Sequence, residues 1–194
     1  MPDYKTILER ADAFFAGVVS DQPDALACRL GCSICCHGLF EISGADLSVL
    51  ADGLDRLDEA TRAAIVERSR RIVEETRHPA LRDCSPEEKE AFFARAADVP
   101  CPALGEGGRC LVYASRPLVC RTFGLPLRDG NSFLGEECEL NFIRATREDK
   151  ERAAWDLQWE DVLGPEDEMT IPEAVLMIER VRKRSSVAGA NRHK

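Results

Sequence analysis

The sequence predicts a mainly α fold with a small, irregular, β-hairpin-containing centre, an α+β class dominated by helix. Three observations carry that expectation. Apolar residues recur at helical spacing near both ends, helix-start signals stand at Ser43, Ser85 and Thr170, and residues 100–138 are too rich in Gly and Pro for long helices. At 194 residues the chain is expected to be a single domain over 1–194. A chain of that length buries roughly 70% of its unfolded surface, enough to fold without covalent staples.

The first helix is expected over 3–20, where Tyr4, Ile7, Leu8, Ala11, Phe14, Phe15 and Val18 form one apolar face. Ser43-Gly44-Ala45-Asp46 resembles a capping box ahead of DLSVLADGL and predicts a second helix. A longer helix is expected across 55–77, with Leu57, Ala64, Ile65, Ile72 and Val73 inward and its arginines outward. Ser85-Pro86-Glu87-Glu88 combines a capping serine, proline at the first helical position and an acid at the third. Within 100–138 the sequence predicts two hairpins, turning at Gly105–Gly108 and at Asp129-Gly130-Asn131, with a helical turn near Pro117–Arg121. A helical extension is expected over 139–185, including Trp155 and Trp159 on one packed face and Asp156, Glu160 and Asp161 as a solvated face. Thr170-Ile171-Pro172-Glu173 opens its last helix, with Ile171, Val175, Ile178 and Val181 inward, before a basic tail at 186–194.

Composition excludes several functions. The formal charge of −9 opposes general nucleic-acid binding, because the phosphate backbone would repel the chain. The charge is uneven: six Lys/Arg follow Glu179, which reads as a solvated terminus. No run reaches 18 consecutive apolar residues, so no membrane span is expected. The start, MPDYKTILERADAFF, shows no basic segment leading into an apolar one, and a cytoplasmic setting with reduced thiols is expected. No Gly-rich phosphate loop, nucleotide fingerprint or serine triad stands out.

Nine cysteines against three histidines are the compositional outlier. Cys28, Cys32, Cys35 and Cys36 fall within nine residues, in CRLGCSICCHG. An odd count, and a vicinal pair poorly placed to bridge itself, disfavour a disulfide framework. Cys101, Cys110, Cys120 and Cys138 lie in the irregular Gly/Pro segment, and Cys84 stands alone before a helix. Turns are where backbone can wrap an ion, whereas apolar filler cysteines sit inside regular elements. Eight candidate thiolate ligands follow, four from each half. Cys35 and Cys36 point in different directions and serve two ions more easily than one, so two centres or one bridged centre are expected. The spacing matches neither the bacterial ferredoxin pattern nor a zinc finger with paired histidines. Eight thiolates would carry a charge of about −8, of which two divalent ions cancel half. His37 follows the knot and is read as lying beside the site.

Cys28, Cys32, Cys35 and Cys36, then Cys101-Pro102, then GRCLVYASRPLVCRTF over 108–123, resemble the YkgJ-like cysteine-cluster family, described as zinc- or iron-chelating. The match covers about 28–138. The resemblance implies a metal site of about eight cysteines, here Cys28, Cys32, Cys35, Cys36, Cys101, Cys110, Cys120 and Cys138. It also implies a supporting, charge-offsetting role for Arg116 and Arg121 near the ligands. The domain is thus expected to be metal-stabilised, binding zinc or iron in a structural or ion-handling role. The alternative is an iron–sulfur redox protein or a protein-modifying enzyme that uses the cluster. Metal ions are the expected partners; the sequence specifies no catalytic residue and no partner protein.

Overall fold

The computed structural model describes residues 3–29, 31–160 and 168–190, the last five of these in backbone only. In chain order the helices are α1 (Tyr4–Asp21), α2 (Asp46–Asp55), α3 (Glu59–Thr76), α4 (Pro86–Arg95), α5 (Leu118–Thr122), α6 (Arg147–Arg152) and α7 (Ile171–Ala190). The strands are β1 (Glu41–Ile42), β2 (Leu127–Asp129), β3 (Ser132–Gly135), β4 (Trp155–Asp156) and β5 (Met169–Thr170). Helix dominates, with short strands in a minor role.

The helix starts follow from satisfied backbone donors. Asp3 accepts from the Thr6 N–H at 2.8 Å and Asp58 from the Thr61 N–H at 2.9 Å. Ser85 and Glu88 close a full capping box, with the Glu88 carboxylate accepting from the Ser85 N–H at 2.8 Å. Thr170 and Glu173 do the same at the head of α7. At α2 the box is half made. The Asp46 carboxylate accepts from the Ser43 N–H at 3.1 Å, but the Ser43 hydroxyl donates to that carboxylate instead of capping an amide.

The chain divides into two compact units. The first comprises 1–35, 107–109 and 117–166. In it α1 buries Ile7, Leu8, Ala11 and Val18 and packs on α5. A three-stranded sheet in the order β3-β2-β4 completes the unit, with β2 and β3 antiparallel and β4 parallel to β2. Phe14 of α1 meets the Trp155 and Trp159 rings edge-on at 5.6 and 5.5 Å. The second comprises 36–106, 110–116 and 167–194. There α3 packs on α7, β1 pairs antiparallel with β5, and Leu39, Ile72, Leu81, Phe92 and Ala96 form a shared core.

Several expectations need correction. The hairpin at Asp129-Gly130-Asn131 forms as β2–β3, but the one at Gly105–Gly108 reduces to a single bridge, Leu104 to Cys110. The reason is local: Gly107 and Gly108 both take positive φ, 67° and 73°, and curl the chain into a 3-10 turn before a ladder can extend. α3 starts at Glu59 behind its Asp58 cap, and its inward residues are Arg62, Ile65, Val66, Ser69 and Ile72. Ala64 is exposed, because it stands one helical step off the Ile65–Ile72 line. Arg62 turns in rather than out and pairs with Glu59 at 3.3 Å.

Among the described residues of 139–185, the α-helices are α6 and α7. Trp155 and Trp159 lie on a strand and a 3-10 turn instead of one helix face. The Trp155 N–H donates to the Pro126 carbonyl at 2.8 Å, so pairing with β2 overrides the helical spacing. Asp156 is buried and pairs with Arg128 at 3.0 Å, while Asp161 lies outside the described residues. On α7 Val181 is 59% exposed, and the helix continues through Ala190 into the expected tail, of which 191–194 lie outside the described residues.

The caps predict a pH response. Hydrogen bonds from the side chain and backbone of Thr61 hold the Asp58 carboxyl below its ordinary value of 3.8. A folded value below the unfolded one makes this contribution complete above pH 3.8 and lost as pH falls through the folded value. Asp58→Asn keeps an acceptor at the cap and removes the titration. Its urea midpoint should therefore fall less between pH 5 and pH 3 than the parent's, as read by circular dichroism.

Candidate metal centre

The nine cysteines are all thiols rather than disulfides among the described residues. Five belong to the first unit: Cys28, Cys32, Cys35, Cys120 and Cys138. Cys36, Cys84, Cys101 and Cys110 belong to the second, so the vicinal pair divides between the two.

In the first unit Cys32, Cys35 and Cys138 lie within electrostatic reach of Cys28. Cys28 is exposed as a residue, yet its sulfur is covered locally, and this burial pushes its thiol above the ordinary value of 9.0. The Asn141 amide opposes the shift, while the charges of Cys32, Cys138 and Cys35 add to it. Burial and the neighbouring sulfurs act in the same direction, each disfavouring the thiolate. A divalent ion bound to these sulfurs would displace their protons, so its affinity would rise with pH.

Local structure explains how these sulfurs come together. The Cys32 N–H donates to the Arg29 carbonyl at 2.9 Å and closes a turn, and the 3-10 turn Ile34–Cys36 follows. Cys138 is carried in by the segment after β3, where the Asn141 N–H donates to the Cys138 carbonyl at 2.8 Å. Gly124 lies against both. With φ +92° it sits in the left-handed region, and a Cβ there would stand 2.7 Å from Asn141 Nδ2, 3.4 Å from Cys138 Cβ and 3.6 Å from Cys28 Sγ. Gly124→Ala should therefore destabilise the first unit by about 1–3 kcal/mol. The check is a urea titration, and an unchanged midpoint would contradict the close approach.

In the second unit Cys36 and Cys101 are joined through backbone, the Cys101 N–H donating to the Cys36 carbonyl at 2.8 Å beside a bridge between His37 and Pro100. The Leu104 N–H returns to the Cys101 carbonyl at 3.0 Å, and Leu104 bridges to Cys110. Three of the expected ligands thus sit on consecutive short ladders, with His37 adjacent. Cys84 stands apart from them, its sulfur 3.5 Å from the Ala80 carbonyl.

Cys120 lies on α5, its N–H donating to the Pro117 carbonyl at 3.1 Å. The next residue, Arg121, is buried and pairs with Asp12 of α1. The Arg116 guanidinium stacks over the Tyr113 ring at 3.8 Å. Both arginines thus have structural partners of their own. Among the described residues no three Cys, His, Asp or Glu side chains stand in an arrangement that could hold an ion as they are. The chemistry of the donor set still fits zinc or iron, since Cys32, Cys35 and Cys138 are grouped with Cys28 and sulfur, once deprotonated, is a soft donor.

Spacing alone did not reveal Gly124 and Asn141. The only local signal was an amide residue three positions after Cys138.

A family model described as "CxxCxxCC: Putative zinc- or iron-chelating domain" matches residues 27–139. No curated protein and no solved structure matches the chain.

Proposed function

The chain belongs to the CxxCxxCC family, and on that premise we propose that it chelates zinc or iron through cysteine thiolates in a structural or ion-handling role. The observation that carries the proposal is the group of four thiols in the first unit, in which Cys32, Cys35 and Cys138 each act on Cys28. Sulfur is the donor suited to these metals, and a closed set of four satisfies a tetrahedral ion. In this reading Cys120 is a further ligand in the first unit, and Cys36, Cys101 and Cys110 are ligands within the second. Arg121, one residue from Cys120, adds positive charge that offsets the excess of thiolate, and Arg116 does so from the other end of the RPLVC segment. Zinc would be a Lewis-acidic structural ion here, and iron would be stored, transferred or held in a cluster.

A reducing compartment such as the cytoplasm would keep the thiols available. Among the described residues no helix is long and apolar enough to cross a membrane.

The test is metal analysis with absorption spectroscopy on protein purified without oxygen. Colourless protein with stoichiometric zinc, or with mononuclear iron, supports the chelating role. A brown protein with acid-labile sulfide supports instead the iron–sulfur alternative, a redox protein or protein-modifying enzyme. Protein that takes up neither metal overturns both.

A further inference from the structure

The strongest feature that the family assignment leaves unused is Asn141, two residues beyond the matched segment. Its side chain is 3% exposed, and a buried carboxamide has four hydrogen-bonding capacities to satisfy. Oδ1 accepts from the Ala27 N–H at 2.9 Å, and Nδ2 donates to the Gly124 carbonyl at 2.8 Å. These two backbone partners fix which end of the amide is nitrogen, because an N–H needs an acceptor and a carbonyl needs a donor. The second N–H of Nδ2 then faces the Cys28 sulfur at 3.5 Å. Oδ1 is 3.8 Å from the same sulfur and can accept from it while the thiol is protonated.

The backbone holds this residue as firmly as its side chain does. The Asn141 N–H donates to the Cys138 carbonyl at 2.8 Å, and the next N–H, of Phe142, donates to the Ala25 carbonyl at 2.6 Å. Phe142 adopts φ +54°, an uncommon value for a residue with a Cβ, and it is 1% exposed. Such a backbone persists where the surrounding contacts over-determine it. One residue thus links the segment before Cys28, the Gly124 turn and the segment that carries Cys138.

We propose that Asn141 is a positioning residue for the thiol set: it holds Cys28 beside Cys138 and directs an N–H donor at the Cys28 sulfur. The donor favours the anionic sulfur, whether bare or metal-bound, because a thiolate accepts hydrogen bonds and cannot donate one. The inference rests on the metal-chelating reading for what the positioned sulfur does, but not for the contact itself.

Asn141→Asp separates the roles. It keeps the shape and the acceptor for Ala27, and it places an anionic oxygen where Nδ2 faced Cys28 and Gly124. In metal-free protein, alkylation of Cys28, read by mass spectrometry, should slow by about fivefold or more, with Cys84 in the same sample changing by less than about twofold. Zinc affinity, measured by competition with a chromophoric chelator, should fall by about 10- to 100-fold. Unchanged Cys28 alkylation in the folded variant would overturn the inference. So would a variant in which Cys84 slows as much as Cys28, because the effect would then not come from the Asn141 contact.

Should the variant not fold, the parent protein decides the matter by NMR. Alkylating Cys28 in the metal-free parent should shift an Asn141 side-chain amide proton, and a proton that does not move refutes the contact. Failure of the chelating reading is distinct: parent protein would then bind no zinc or iron, while the alkylation result would still decide the role of Asn141.

Discussion

Removing the metal should lower the melting temperature of the loaded protein by about 8–16 °C. A ligand that binds only the folded state, at a thousandfold over its Kd, stabilises by about 4 kcal/mol. For a chain of this size each kcal/mol shifts the midpoint by about 2–4 °C. Two physical features favour a strong linkage. Neighbouring thiolates repel one another, and the proposed ligands come from segments over a hundred residues apart, Cys28 and Cys138. The cation offsets the repulsion and restrains both segments together. Differential scanning calorimetry before and after a chelator reads the effect. Cys138→Ser should reproduce most of the loss, and Cys84→Ser should retain full metal content, because Cys84 lies outside the proposed ligand set and its sulfur meets the Ala80 carbonyl at 3.5 Å. A chelated protein that keeps its melting temperature would refute the structural role.

Trp155→Ala should destabilise the first unit by about 3–5 kcal/mol, the range for removing a fully buried large aromatic. The side chain is completely buried, and its ring meets Phe14 at 5.6 Å and Trp159 at 4.6 Å. The substitution also removes the indole N–H that donates to Glu160 at 2.6 Å. By contrast, breaking the Lys5–Glu9 pair, in which both side chains are more than 60% exposed, should change stability by only a few tenths of a kcal/mol. Urea unfolding followed by far-ultraviolet circular dichroism distinguishes the two. Trp155→Phe keeps most of the apolar area and should cost less than the alanine. A loss below about 1 kcal/mol for the alanine would place this cluster outside the unit's core.

These two predictions differ in how far each could be read without coordinates. Membership of a cysteine-cluster family was legible because metal chemistry selects a residue type, and the cysteine spacing carries that signal whatever the packing. The capped starts of α4 and α7 were equally legible. Ser85 and Glu88, or Thr170 and Glu173, satisfy each other's backbone donors three residues apart. The turn at Gly130-Asn131 is local in the same sense.

Trp155 was not legible in this way. Spacing of four to Trp159 suits a helix, and only the Pro126 carbonyl, distant in sequence, makes the segment a strand. The pairing of Arg121 with Asp12 of α1 was likewise hidden, because only tertiary packing brings those two side chains together. The exposed Ala64 and the buried Arg62 show the same limit at the level of one helix, whose rotation is set by what packs on it.

The sequence alone therefore established the helical class, the capped starts of α4 and α7 and the cysteine-cluster family, since each depends on residue type or on partners within one turn. Tertiary structure decided the division between Cys35 and Cys36, the grouping of Cys138 with Cys28, and the place of Asn141 between Ala27 and Gly124. Those relations are made by hydrogen bonds and charge acting through space between residues far apart in the chain, where local periodicity carries no information.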